Sequence, residues 1–177
     1  MSGLPFTQPV NVRTLPKKGR REAFSASTDE ATAIAMLYDL DAVETFVCRA
    51  EIAPWKGRGV RVRGTVEASI VQPCAITAEP LHRKVNEEFE ALYVPEGSRL
   101  ARPDALVNGE LVLDAEGADP PEVFTGDSLD MAEIWLEHFA LGLDPFARAD
   151  DAELEAPEPP TDDAPNPFAA LAALKRD

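Results

Sequence analysis

The chain has 177 residues, of which 45% are hydrophobic, and a formal charge of −15, enough apolar material for one core of ordinary size. Residues 1–103 carry 14 Lys and Arg against 13 Asp and Glu, residues 104–163 carry one against 18, and residues 164–177 carry two against one. The middle stretch therefore repels nucleic acid and attracts basic proteins, while the first stretch is near neutral and can present local basic patches.

Thr7–Val12 and Glu22–Ser25 read as short extended segments on either side of the basic turn P-K-K-G-R-R, residues 16–21. Ser27 to Glu30 have a capping-box arrangement, and Ile34, Leu37 and Tyr38 follow at helical spacing. The pattern predicts a helix from about Thr28 to Leu40 that covers a sheet. From Val43 the period falls to two, with Phe46, Cys48, Ala50 and Ile52 alternating against Thr45, Val47, Arg49 and Glu51. After Trp55-Lys56-Gly57, Val60, Val62, Gly64, Val66, Ala68 and Ile70 alternate with Arg61, Arg63, Thr65, Glu67 and Ser69. One face of such a strand is core and the other is wet. A third strand, His82 to Val94, places Val85, Phe89 and Tyr93 among the apolar positions. Three consecutive strands predict an antiparallel meander, which can close partly into a barrel with the N-terminal strands.

Residues 95–121 are rich in Pro, Gly, Asp and Glu, though Leu106, Val107, Leu111, Val112 and Leu113 can supply a short strand or hairpin. Asp130 and Glu133 then offer an N-cap and an N3 carboxylate. Apolar side chains from Met131 through Leu143 cover most of the helix circumference and leave a narrow Glu133/Glu137 stripe. Such a helix is buried or paired, and Gly142 with Asp144-Pro145 ends it. Beyond Arg148, A-D-D-A-E-L-E-A-P-E-P-P-T-D-D-A-P has too little apolar area to offset its ordering entropy and reads as a disordered linker. Order returns in P-N-P-F-A-A-L-A-A-L-K-R. Asn166 suits an N-cap and Pro167 the first helical position, Phe168, Leu171 and Leu174 share a face, and Lys175 meets the negative end of the dipole. A helix this short persists in water only against another surface, since an isolated one needs roughly 12–15 residues. It is either a docking peptide or a helix that folds back on its own domain.

The opening M-S-G-L-P-F-T-Q-P lacks a charged region followed by an apolar run, and no later run approaches the ~20 apolar residues that span a bilayer. A cytoplasmic location and no membrane partner are the expectation. Cys48 and Cys74 would then be free thiols. A catalytic reading begins with Cys74 and His82, which flank one turn, but a buried structural cysteine beside a surface histidine explains the same residues better. His138 lies in the apolar helix, where a core or boundary histidine is the ordinary case. With two histidines and no cysteine pair, zinc is a poor expectation, and no G-x-x-x-x-G-K-[ST] or G-x-G-x-x-G cradles a phosphate. No cofactor and no catalytic residue are expected.

The basic side chains say more. Arg61 and Arg63 project from one strand face, while Arg49, Arg58, Arg83 and Lys84 lie on segments that pairing can bring alongside. Together they are candidates for meeting a phosphate backbone, with Arg also able to stack on unpaired bases. The competing reading is a solvated sheet face with Glu51, Glu67 and Glu88 interleaved.

Three segments, R-V-R-G-T-V-E-A-S-I-V-Q-P-C-A-I-T-A-E-P-L (Arg61 to Leu81), S-L-D-M-A-E-I-W-L-E-H-F-A-L-G-L-D-P (Ser128 to Pro145) and the ending P-N-P-F-A-A-L-A-A-L-K-R, resemble the large ribosomal RNA subunit accumulation protein family, also called YceD-like. The resemblance implies a non-enzymatic cytoplasmic factor needed for normal accumulation of large-subunit ribosomal RNA. Many members have a C-x-x-C pair at the turn. Cys74 matches its first position and Thr77 occupies the second, so the resemblance implies no zinc requirement here.

The expected fold is α+β, a mainly antiparallel sheet with two packed helices and a disordered acidic tail ending in a short helix. Residues 1–147 would form one domain, 148–164 the linker and 165–177 the terminal motif. Two functions are open. One is an assembly factor that binds large-subunit ribosomal RNA or a pre-ribosome, a basic ribosomal protein, or both, with Asn166, Pro167, Phe168, Leu171, Leu174 and Lys175 as protein-docking candidates. The other is a protein-only adaptor or chaperone for a basic ribosomal protein, without RNA contact.

Overall fold

The computed structural model describes residues 3–101, 106–107, 110–111 and 120–153. In chain order the elements are β1 (Pro9–Asn11), β2 (Arg20–Ser25), α1 (Thr28–Leu37), β3 (Ala42–Trp55), β4 (Gly59–Pro73), β5 (Pro80–Pro95), β6 (Leu106–Val107), β7 (Glu110–Leu111), β8 (Glu122–Phe124), β9 (Ser128–Asp130) and α2 (Met131–Leu141). The period-two stretches have become the long meander β3-β4-β5, and β6 pairs antiparallel with β7 as a short hairpin. The fold is α+β. The expected linker from residue 154 onward and the terminal motif, Asn166 to Lys175, lie outside the described residues.

The sheet does not close into a barrel. Its order is β2-β3-β4-β5-β8, so β2 and β8 are opposite edges, and β8 joins β5 in parallel. β1, the N-terminal strand that closure would use, pairs with β9 instead, setting Val10 opposite Leu129. The start of α2 holds it there. The Gln8 amide donates to Asp130 Oδ1 at 2.7 Å, and the Met131 amide donates to the Gln8 carbonyl at 3.0 Å. Asp130, the N-cap of α2, also accepts from the Ala132 amide at 3.0 Å, so one carboxylate serves both the helix start and the incoming strand.

α1 begins as its capping box requires: the Ser27 amide donates to Glu30 Oε2 at 2.8 Å, and the Glu30 amide donates back to Ser27 Oγ at 3.4 Å. It ends at Leu37, short of the expected Leu40, because Asp39 adopts a positive φ of 52°. Both helices cover the same face of the sheet, burying Ile34 of α1 and Ile134, Trp135 and Phe139 of α2 against Phe46, Ile52, Val62 and Val66. Aromatic rings join these layers. Phe6 stacks on Phe24 at 3.9 Å, Phe24 lies 6.1 Å from Trp135, and the Phe139 ring meets Phe46 edge-on at 5.2 Å and Tyr38 at 5.3 Å. Tyr38 closes the seam by donating its hydroxyl to the Leu136 carbonyl at 2.8 Å.

Gly64 interrupts the apolar alternation of β4 for a reason visible in the packing. A methyl group there would collide with the Arg49 carbonyl oxygen and sit 2.7 Å from Cζ of Phe89, whose ring crosses Gly64 and stacks on the His138 imidazole at 4.1 Å. Gly64→Ala is expected to cost about 1–3 kcal/mol by overpacking. Tyr38→Phe, which leaves the seam's shape intact and removes only the hydroxyl, should cost about 1 kcal/mol. Urea unfolding followed by tryptophan fluorescence measures both. A Gly64→Ala midpoint equal to that of the parent would show that the Arg49 backbone and Phe89 both have room to move aside.

Candidate interaction surface

With both helices on one face, the other face of β2-β3-β4-β5 carries the polar half of each alternation. The register sets Arg21, Glu51, Arg63 and Glu90 in one row across the four strands, and Ala23, Arg49, Thr65 and Glu88 in the next. Charge therefore alternates in sign from strand to strand. Arg63 Nε donates to Glu90 Oε2 at 2.7 Å, Arg49 Nη1 to Glu67 Oε1 at 2.9 Å, and Arg21 approaches Glu51 at 3.7 Å. The Arg63 guanidinium is held above its ordinary pKa, first by the Glu90 hydrogen bond and charge and then by Glu51. These rows line a broad trough of about 510 Å³ bounded by Arg21, Arg49, Glu51 and Arg63.

The six basic candidates divide. Arg49, Arg61, Arg63 and Lys84 share the open face, since their register partners are Thr65, Ala53, Glu51 and Ser69. Arg58 lies in the β3–β4 turn and reaches Asp127 at 3.7 Å. Arg83 belongs to the opposite face, because its register partner Ile70 is a core residue, and it donates to Asp144 Oδ2 at 3.4 Å. Among the described residues, Arg61 and Lys84 form no ion pair, and on the open face five cations (Arg21, Arg49, Arg61, Arg63 and Lys84) stand among four carboxylates (Glu51, Glu67, Glu88 and Glu90). The face is close to neutral.

The helical side holds the opposite imbalance. Parallel pairing of β8 with β5 puts Glu122 beside Tyr93, and the start of α2 brings Glu133 and Glu137 to the same recess, about 270 Å³ in volume. Burial, followed by the Glu137 charge, raises the Glu122 carboxyl above its usual range. The Tyr93 hydroxyl is likewise raised, first by burial and then by Glu122, Glu137 and Glu133. Sequence reading noted the Glu133/Glu137 stripe and placed Tyr93 in a strand, but missed Glu122. No local pattern announces a three-residue parallel edge strand.

Cys74 and His82 are engaged by different partners. His82 Nδ1 lies 3.3 Å from Glu44 Oε1 on β3, whereas Cys74 turns into its own loop, 3% exposed, with Sγ accepting from the Thr77 amide at 3.5 Å. The Thr77 hydroxyl and amide, with the Ala149 and Ile76 amides, pull the Cys74 thiol down to about 7. Burial pushes the Cys48 thiol far up, and the Glu67 charge adds to it. His138 is also lowered, by burial, against the opposing pull of Glu137 and Glu87.

Folding thus lowers the Cys74 pKa from the ~8.5 of a free thiol. The stability that the thiolate contributes is fully present above the unfolded value and is lost as pH falls through about 7. Thiolate absorbance should rise with a midpoint near 7 from Cys74 alone while Cys48 stays protonated. Thr77→Val should move that midpoint upward, and an unmoved midpoint would rule Thr77 out as its cause.

The family model described as large ribosomal RNA subunit accumulation protein YceD matches residues 62–175, more than half of the chain. Comparison with curated proteins and with solved structures gives no significant match. The matched span takes in β5, β8, α2 and most of β4, and begins after Arg49, Arg58 and Arg61. The chain belongs to the YceD family, whose name ties it to accumulation of the large ribosomal RNA subunit.

Proposed function

We propose, with that membership as the premise, that this chain supports large-subunit ribosomal RNA accumulation as a non-catalytic adaptor or chaperone for a basic protein of that subunit. The observation that carries this reading is the alternation of charge on the open sheet face, where Arg63 and Arg49 are each engaged by a glutamate at under 3 Å. A polyanion gains affinity by replacing counterions at unneutralised cations. A face of alternating sign offers little of that gain, and the chain's net charge of −15 opposes approach. A basic protein meets the reverse situation, with Glu122, Glu133 and Glu137 on the helical side unpaired among the described residues. Ribosomal RNA that is not assembled is open to degradation, so keeping one of its proteins soluble acts on RNA abundance without touching RNA. The terminal motif with Phe168, Leu171 and Leu174 is a second contact for such a partner.

Direct RNA recognition remains the competing reading, favoured by Arg61 and Lys84, the cations on the open face without a carboxylate partner. No helix among the described residues is long and apolar enough to cross a membrane.

Ultraviolet crosslinking of the tagged chain in living cells, followed by denaturing purification, separates the two. The adaptor reading expects no large-subunit RNA above an untagged control and no loss of ribosomal RNA with Arg61→Glu/Arg63→Glu. Discrete crosslinks that vanish in that double variant would replace it with direct recognition by the sheet. A Cys74→Ser chain should support normal ribosomal RNA levels, and a loss of function there would reopen the question of catalysis.

A further inference from the structure

We propose that the recess between β5, β8 and the first turns of α2 seats an arginine side chain of the basic partner protein. The inference rests on the adaptor reading and names the chemistry by which the partner is held. Three acidic residues, Glu122, Glu133 and Glu137, line one recess, and none pairs with a Lys, Arg or His among the described residues. Like charges brought together without a cation destabilise the free protein. A second feature is independent of the carboxylates. Tyr93 is only 5% exposed, lines the recess, and its hydroxyl has no hydrogen-bond partner. A buried polar atom without a partner is costly and calls for one.

A guanidinium satisfies both features. Its N–H groups form a planar fork that donates to two carboxylates at once and to the Tyr93 oxygen, and its weaker hydration makes it easier to desolvate than an ammonium. A metal ion fits less well, since no group of three or more His, Cys, Asp and Glu among the described residues is arranged to hold one. The volume, about 270 Å³, suits one long side chain. The walls carry the aliphatic stem: Ile134 and Leu129, both largely buried, line the recess beneath the carboxylates.

The test uses the full-length isotope-labelled chain titrated with acetyl-Ala-Arg-Ala-amide and followed by amide chemical shifts. Saturable shifts are expected at residues 93, 122–124 and 133–137, weaker with the lysine peptide and absent with the uncharged citrulline peptide. Glu122→Gln/Glu137→Gln should weaken arginine binding by about tenfold or more while raising the melting temperature of the free protein, because it relieves repulsion. Tyr93→Phe should also weaken binding without loss of stability. Shifts confined to the acidic residues beyond 148, equal shifts with citrulline or lysine, or full binding by the double variant would each overturn the site. The crosslinking experiment decides the adaptor reading separately, so loss of the site and loss of that reading give different results.

Discussion

The structure depends on how one apolar sheet face is covered. β3 and β4 alternate along most of their length, so about half of their side chains leave water together, and among the described residues α1 and α2 cover them. The aromatic seam performs this task. Trp135 and Phe139 on α2 reach rings from β2, β3 and the end of α1, and Phe6 of the N-terminal segment joins them through Phe24 and Phe46. Each of these contacts joins residues distant in sequence, so the seam ties the ends of the domain to its middle. Phe89 extends it by lying across Gly64 to meet His138.

Among the described residues both helices cover one face and leave the other open, and the electrostatics follow from that asymmetry. The bare face places charged side chains opposite one another on neighbouring strands, where like signs would repel and opposite signs attract. Arg21, Glu51, Arg63 and Glu90 answer this with an alternating row. Each exposed pair is worth little alone, and along the row the two signs offset one another. A group of acids without a cationic partner among the described residues sits at the junction of β5, β8 and α2, where Glu122 is partly buried near Glu137. Strand register thus determines where each sign of charge is presented on the surface.

Much of this was legible in the chain itself. Period-two alternation announced β3, β4 and β5, the Ser27/Glu30 box announced the start of α1, and the nearly all-round apolar pattern from Met131 announced a buried helix. These signals are local, because side-chain period and capping chemistry act within a few residues. The family was legible too, from the strand, helix and terminal segments. The basic candidates were legible only as a list of cations. Arg83 sits on the same strand as Lys84 yet on the other face, a direct consequence of alternation, while the pairing of Arg63 with Glu90 depends on the β4–β5 register.

The sequence by itself determined the three long strands, the two helices, the division of charge along the chain and the family, since composition and period are properties of short stretches. Only the tertiary structure decided that the sheet stays open, because β1 is drawn to the N-cap of α2 by Asp130. It also decided that Glu122, Glu133, Glu137 and Tyr93 share one recess, because a parallel edge strand returns to β5 across a long connection. Such pairings join residues that no local period links, and their partners are chosen by the burial and hydrogen bonding of the whole chain.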